Sequence, residues 1–274
     1  MALDYFTTCL ETTRHNSGFL LFLSHHLGPP MQESTLRIAK HYCLNHANIS
    51  SSAPALPELL DLSLGLYVAR ALNIQHVQDD FSRVGLASPF CIDTVTKQVD
   101  QALSRIDWSA VLQFNKQSDE FLCNALVLLH IFHQAGIHSL EPHRPRIEVT
   151  LQIRRFTLLT KAADWKSQCH LVTHILLSCS DWGKNKLEAA SYSLEFNFIL
   201  ANLPRAIAEE NVKLTGEFLH CLGILEHDLT NAQRASVKVA KEFLSSVVNF
   251  DDDVYRTWCI LEEELVAKNR LFAQ

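Results

Sequence analysis

Residues His170–Gly183, with the sequence HLVTHILLSCSDWG, decide the predicted fold because they combine an apolar helical pattern with three ionisable side chains. At about 100° per residue, His174 and Asp181 lie within roughly 40° of His170 around the helix axis, so these side chains share one stripe. Gly183 favours a helix stop, because glycine most easily adopts the positive φ of the residue after a helix. The stretch therefore predicts a helix with a histidine-bearing polar face.

The composition is that of a globular protein built from helices. Hydrophobic residues make up 47% of the 274 residues and charged residues 20%, which excludes wholesale disorder. The 8 glycines and 8 prolines fall mostly between apolar segments of helical periodicity, which indicates short connections. The net charge of −6 argues against a nucleic-acid partner, because phosphate binding needs concentrated lysine and arginine.

The cysteine and apolar patterns predict a cytoplasmic protein. The 8 cysteines are scattered, with no C-x-x-C pair and no secretory signal ahead of them, so we expect free thiols in a reducing compartment. No apolar run reaches the roughly 18 residues that a bilayer-spanning helix needs. We therefore expect no membrane partner.

Two proline-containing segments divide the predicted helices. GPP at residues 28–30 separates two helices near the start of the chain, and NISSSAPALP at residues 48–57 is the most linker-like segment. We expect an N-terminal helical subdomain over residues 1–52 and a main all-helical domain over residues 53–274. The predicted class is all-α, with roughly ten to twelve helices arranged as antiparallel hairpins in an α-solenoid or a closed α/α toroid.

The connection His138–Arg146, HSLEPHRPR, is the densest polar loop of the sequence. Its two prolines lower the entropy lost on ordering the loop, and arginine side chains there can bind a carboxylate or phosphate through paired N–H donors. A solvated turn between helices is the alternative interpretation. Under the binding interpretation, the predicted substrate-binding residues are Arg146, His143 and Thr173.

A second pattern suggests a metal site. His170 and His174 are four residues apart, a spacing at which two imidazoles on a helix can share one ion. Glu217 and His220 form E-x-x-H, one signature of carboxylate-bridged di-iron bundles, although the second copy that such a bundle needs is missing from the sequence. If the two helices are neighbours, these four residues are the predicted ligands of an iron ion. Otherwise we expect no cofactor.

The segment Thr173–Gly183 resembles a T-H-x-x-F-x-x-T-D-x-G motif in a family of functionally uncharacterised, all-helical bacterial proteins. Those proteins often occur beside genes for natural-product assembly. Ser180 replaces the threonine of the motif, and Arg146 is similar to a further arginine of that family. The resemblance spans about residues 118–248 and implies a helical fold and a natural-product setting, without an established chemistry. The matching positions are Thr173, His174, Asp181 and Gly183.

Three functions follow from these patterns. The first is a tailoring enzyme of natural-product metabolism, in which His174 is a general acid/base oriented by Asp181 or by a carboxylate from another helix. Imidazole suits this role because its ordinary pKa lies near neutrality. The second is a non-catalytic helical scaffold that binds a peptide or protein partner, and the third is a non-haem iron-dependent oxygenase. We expect a small molecule or peptide as substrate.

Overall fold

In a computed structural model of the chain, the structure describes residues 17–27, 31–46, 54–77, 90–112, 119–157, 165–226 and 228–246. These residues contain eleven α-helices, ten of them with seven residues or more, together with one 3-10 helix and two pairs of two-residue strands. The predicted all-α class and the predicted number of helices are therefore confirmed for this part of the chain.

The described residues fall into two compact units. Of the described residues, those within 17–112 and 128–145 belong to the N-terminal unit, and those within 119–127 and 146–246 belong to the C-terminal unit. Two helices, Asp119–Ala135 and Arg144–Thr157, contribute residues to both units. The boundary predicted at residue 52 lies outside the described residues and stays a prediction.

The N-terminal unit contains helices and one pair of short strands. The strands His76–Val77 and Phe90–Cys91 are antiparallel, with His76 opposite Cys91. The 3-10 helix Glu141–His143 precedes the last residues of this unit. The remaining elements are α1 (Gly18–His26), α2 (Gln32–Asn45), α3 (Leu56–Ala71), β1 (His76–Val77), β2 (Phe90–Cys91), α4 (Ile92–Leu103), α5 (Trp108–Val111) and the end of α6 (Asp119–Ala135).

Helices α1 and α3 approach each other closely where α1 begins. A Cβ atom on Gly18 would lie 2.0 Å from the carbonyl oxygen of Asp61, so only glycine fits at this crossing. The Asp61 carboxylate accepts from the backbone N–H groups of Gly18 at 2.8 Å and Phe19 at 3.1 Å. It therefore caps α1 from a neighbouring helix and places negative charge at the positive end of the helix dipole.

The C-terminal unit is built around three helices that pack on one another. The helices Trp165–Cys179, Ser193–Ala208 and Val212–Ile224 contact each other. The helix Asn231–Ser246 packs on the second and third of them. Two short strands run parallel, with Leu187 opposite Leu225. The elements are α7 (Arg144–Thr157), α8 (Trp165–Cys179), β3 (Leu187–Glu188), α9 (Ser193–Ala208), α10 (Val212–Ile224), β4 (Leu225–Glu226) and α11 (Asn231–Ser246).

Most residues of helix α8 are buried. Its fully buried side chains include Cys169, Leu171, Val172, Ile175 and Leu176. It also places the buried hydroxyl of Thr173 against Glu217 of α10. Polar groups placed there need partners, because an unpaired buried polar group is destabilising by several kcal/mol.

Two predictions from composition can be compared with the described residues. No helix in these ranges is both long and apolar enough to cross a membrane. The cysteines among them are free thiols, namely Cys43, Cys91, Cys123, Cys169, Cys179 and Cys221.

Candidate functional site

A buried carboxylate lies between α8 and α10. The side chain of Glu217 is 1% exposed, and its Oε2 atom lies 3.0 Å from the hydroxyl of Thr173 and 3.3 Å from Nδ1 of His170. The hydroxyl is also 3.1 Å from the carbonyl oxygen of His170, so its single proton is shared between two acceptors. Because residues 170 and 173 lie one turn apart on α8, both donors reach the same oxygen. We call His170, Thr173, His174 and Glu217 the Glu217 cluster.

The surroundings of Glu217 keep it ionised. Burial is the largest single effect and raises its pKa, because a charged group loses hydration. The hydrogen bond from His170 lowers the pKa, as do the electrostatic interactions with His174, His170 and Lys213. The lowering effects together exceed the effect of burial, so the pKa lies below the ordinary value of 4.5. At neutral pH Glu217 is therefore a carboxylate, which only accepts hydrogen bonds.

His174 is held in one tautomer by the backbone. Its Nδ1 atom lies 2.6 Å from the carbonyl oxygen of His170, and because a carbonyl only accepts, Nδ1 carries the proton. Burial, the largest effect, lowers the pKa of His174 from 6.5, while the charge of Glu217 and the hydrogen bond to the carbonyl raise it by less. His174 is therefore a neutral imidazole at pH 7, with its lone pair on Nε2.

His170 is the accessible imidazole of the cluster. Its side chain is 35% exposed, and its Nδ1 faces an ionised carboxylate, so Nδ1 is again the donor. The ring centroids of His170 and His174 are 6.2 Å apart. The cluster thus holds two imidazoles whose Nδ1 atoms both donate, with one buried carboxylate beside them.

The structure corrects the predicted position of Asp181. Helix α8 ends at Cys179, so Asp181 does not continue the stripe of His170 and His174. The side chain of Asp181 forms an ion pair with Lys184 at 3.1 Å. Glu217 is instead the carboxylate whose charge acts on His174, which agrees with the alternative of a carboxylate from another helix.

Three consecutive residues after α8 have left-handed backbone conformations. The φ angles are 51° at Asp181, 54° at Trp182 and 89° at Gly183. For residues other than glycine, this conformation is unfavourable by about 1–2 kcal/mol each. The sequence predicts Gly183 as the residue that directly follows the helix. In the structure it is instead the third left-handed residue of a turn. A Cβ atom on Gly183 would also lie 2.9 Å from Cε1 of His220.

The predicted metal ligands are only partly brought together. His170 contacts Glu217, and His220 lies on α10 beside Gly183. Both Nδ1 atoms on α8 are engaged, one with the carboxylate and one with a carbonyl. Within the described ranges, no group of three or more His, Cys, Asp or Glu side chains is arranged to hold a metal ion. Iron binding therefore stays a prediction from the sequence.

The predicted substrate-binding residues lie in different places. Arg146 is exposed on the first turn of α7, where its carbonyl accepts from the Thr150 hydroxyl at 2.8 Å. His143 is partly buried at the end of the 3-10 helix in the N-terminal unit. Thr173 is fully buried and contacts Glu217, so it holds the carboxylate and is not positioned to meet a substrate directly.

Sequence reasoning missed two features of this site. It did not pair His170 with Glu217 as a proton-handling unit, although both residues were predicted metal ligands. It also attached no role to Trp182, which is 6% exposed and whose ring lies perpendicular to that of His174, with the ring centroids 6.5 Å apart.

The chain matches no family model, no curated protein and no solved structure.

The lowered pKa of Glu217 predicts a pH-dependent loss of stability. The folded-state pKa of Glu217 is below 4.5, so between that pKa and 4.5 the unfolded chain binds more protons than the folded protein does. The stabilisation of the folded protein by ionised Glu217 is therefore complete above pH 4.5 and is lost as the pH falls through the folded-state pKa. We expect Glu217→Gln to lower the free energy of unfolding by about 1–3 kcal/mol at pH 7. The difference from wild type should narrow as the pH falls towards about 3.

Urea unfolding at a series of pH values measures this difference. The control is Glu242→Gln on α11, because the side chain of Glu242 is 65% exposed. It should change stability by less than about 0.5 kcal/mol throughout. A wild-type advantage over Glu217→Gln that stays constant or widens towards acid pH would show that the carboxylate is not stabilised in the folded protein.

Proposed function

We propose that the protein is an acid–base enzyme that acts on a small molecule, with His170 as the group that takes and returns the proton. One observation carries this proposal: a partly exposed imidazole has its Nδ1 held 3.3 Å from a buried, ionised carboxylate. A base held and oriented by a carboxylate is the arrangement that general acid–base catalysis needs.

Each residue of the Glu217 cluster has a distinct role in this proposal. Nε2 of His170 accepts a proton from the substrate, while Nδ1–H keeps its hydrogen bond to Glu217, whose charge faces the imidazolium that forms. Thr173 holds the carboxylate in place from the same helix. His174, neutral and with its lone pair on Nε2, is a second proton acceptor close to the first. Two imidazoles in different surroundings can divide the acid and base roles between them.

The finer predictions from the sequence are retained here as part of the proposal. They are a tailoring role in natural-product metabolism, suggested by the motif at Thr173, His174, Asp181 and Gly183, and an arrangement of the helical hairpins in a solenoid or a toroid. Arg146 would bind an anionic part of the substrate. The contacts of the described residues favour neither a peptide-binding scaffold nor an iron-dependent oxygenase over this acid–base role.

Proton abstraction can be tested before the substrate is known. The protein is incubated with a pool of small metabolites in deuterium oxide, and mass spectrometry detects any compound that gains deuterium. We expect incorporation with the wild type and a loss of about 10²–10⁴-fold with His170→Gln, the usual contribution of a general acid or base. Glutamine keeps a side-chain N–H for Glu217, so the fold should be preserved.

The matched control is His133→Gln, which removes an imidazole that is 65% exposed in the N-terminal unit. This variant should incorporate deuterium at the wild-type rate. Full incorporation with His170→Gln, or none with the wild type across a broad pool, would contradict the proposed function.

A further inference from the structure

Helix α7 carries an exposed apolar stripe. Val149 and Ile153 are four residues apart, so their side chains lie on one face of the helix, and they are 61% and 59% exposed. Among the large apolar side chains that the structure describes, these two have the largest exposed fractions. Both are β-branched, and such side chains lose rotamer freedom in a helix without gaining burial here. The exposed Arg146 lies one turn before Val149 on the same face, and we call these three residues the α7 face.

The contacts of α7 hold this face outward. Ile147 is fully buried on the opposite side of the helix. Arg154 donates to Asp119, which is 4% exposed, at 2.7 Å. Arg155 donates to the buried carboxylate of Glu195 at 2.6 Å. Turning the α7 face inward would break both ion pairs and leave two buried carboxylates uncompensated. The stripe therefore stays outward, and only another segment or molecule can cover it.

A later part of the sequence carries a matching apolar stripe. Val254, Trp258, Leu261 and Leu265 recur at spacings of four, three and four residues, and at about 100° per residue they fall within roughly 60° of one another. The sequence therefore predicts an amphipathic helix with one narrow apolar face. We call residues 251–265 the C-terminal segment, and they lie outside the residues that the structure describes.

The charges of the two elements are opposite. Helix α7 has four arginines and one glutamate, a net charge of +3. The C-terminal segment has one arginine against six carboxylates, a net charge of −5. Asp251, Val254 and Trp258 are separated by three and then four residues, which is also the spacing within the α7 face. A carboxylate and an arginine at the same end of two such stripes can form a charge-assisted hydrogen bond while the stripes pack.

The C-terminal segment follows a helix that shares a neighbour with α7. Helix α11 ends at Ser246, five residues before Asp251, and it packs on α9. Helix α7 contacts α9 as well, through Arg155 and Glu195. A segment on so short a tether has a high effective concentration, so a small interface is enough to dock it. A second copy of the chain would need a much larger interface for stable association.

We propose that the α7 face is the docking surface of the C-terminal segment within the same chain. Val254 and Trp258 pack on the apolar residues of the α7 face, and Asp251 accepts from the guanidinium of Arg146. This docking does not depend on the proposed function. If Arg146 also binds an anionic part of a substrate, as that proposal has it, docking and substrate binding compete for the same guanidinium.

Hydrogen exchange of the whole chain, followed by peptide mass spectrometry, tests the docking. In the wild type, amides of the C-terminal segment should exchange at least about 10-fold more slowly than in a synthetic peptide of residues 251–265. The double variant Val149→Ser with Ile153→Ser should lose most of this protection. Both side chains are exposed, so the rest of the fold should be kept. Unprotected amides in the wild type, or full protection in the double variant, would overturn the inference.

A charge exchange tests the contact between Arg146 and Asp251. Arg146→Glu should speed exchange in the C-terminal segment by about 2–5-fold, the size of effect expected from an exposed ion pair. Adding Asp251→Arg restores opposite charges and should return the exchange rate towards that of the wild type. If the second substitution restores nothing, the segment does not dock in this register and the inference is wrong.

The matched control is Val239→Ser on α11, which removes another valine of the same unit that is 51% exposed. It should leave the protection of the C-terminal segment unchanged. Loss of protection in this variant, with none in the α7 variants, would place the segment on α11 and contradict the proposal. Analytical ultracentrifugation identifies the other occupant of the face. A wild-type dimer that the α7 double variant converts to monomers would show that a second copy covers the face, which would also contradict the proposal.

Discussion

Gly18→Ala should lower the free energy of unfolding of the N-terminal unit by about 3 kcal/mol, at the upper end of overpacking substitutions. The added Cβ atom would lie 2.0 Å from the carbonyl oxygen of Asp61 and 2.9 Å from the backbone nitrogen of Gly65. Both are backbone atoms of α3, so no side chain can move aside, and the helices must separate. That separation also weakens the two hydrogen bonds by which Asp61 caps α1.

Hydrogen exchange of peptides from α1 and α3, together with urea unfolding, measures this loss. The control is Gly223→Ala on α10, where an added Cβ atom would meet nothing within 4 Å. Because alanine restricts the unfolded chain more than glycine does and favours a helix, this control should be more stable by about 0.5–1 kcal/mol. Equal stability of Gly18→Ala and wild type would mean that α1 and α3 do not cross as closely as described.

The second large loss of stability is expected at the buried ion pair of Arg155 and Glu195. Arg155→Met should lower the free energy of unfolding by about 3–5 kcal/mol, because removing one partner leaves an uncompensated buried charge. The carboxylate of Glu195 is 0% exposed and accepts from Nε of Arg155 at 2.6 Å and from Nη2 at 3.1 Å. The hydrogen bond to Glu195 is the largest effect on the pKa of Arg155 and raises it, so the guanidinium stays charged.

Urea unfolding at pH 7, with two further variants, tests whether removing one partner of this pair costs more stability than removing both. The double variant Arg155→Met with Glu195→Leu should recover much of the stability, because it removes both charges from the interior. Lys238→Met breaks an exposed pair with Glu242, whose side chains are 76% and 65% exposed, and should change stability by less than about 1 kcal/mol. If Arg155→Met behaves like Lys238→Met, Glu195 is hydrated in the folded protein.

Close approach between helices depends on more than the spacing of glycines. Gly216 and Gly223 lie seven residues apart on α10, a spacing that permits the close approach of another helix or a ligand, and a Cβ atom on Gly223 would meet nothing within 4 Å. The tight contacts are at Gly18 and Gly65, where an added Cβ atom would meet Asp61 and Tyr42. Glycine spacing shows where a close approach is possible, but the crossing point depends on how two helices pack.

At the candidate site, too, some features follow from the local sequence pattern and others depend on how the helices pack. His170, His174 and Glu217 were selected from the sequence, because i, i+3 and i, i+4 spacings place side chains on one helix face, and Thr173 was selected from the motif that it shares with His174. Asp181 was assigned to that face only because the helix was extended two residues too far. Helix ends are poorly defined by periodicity, since the last turn depends on capping and tertiary contacts.

By itself, the sequence determined that this part of the chain is helical and which polar side chains share a face of α8. Those properties depend on residues three and four positions apart, so periodicity is enough to predict them. Only the tertiary structure decided that His170 meets Glu217, 47 positions away, and that Trp182 turns back onto His174. Such pairings depend on which helices pack together and on a strained turn, and neither has a local signature in the sequence.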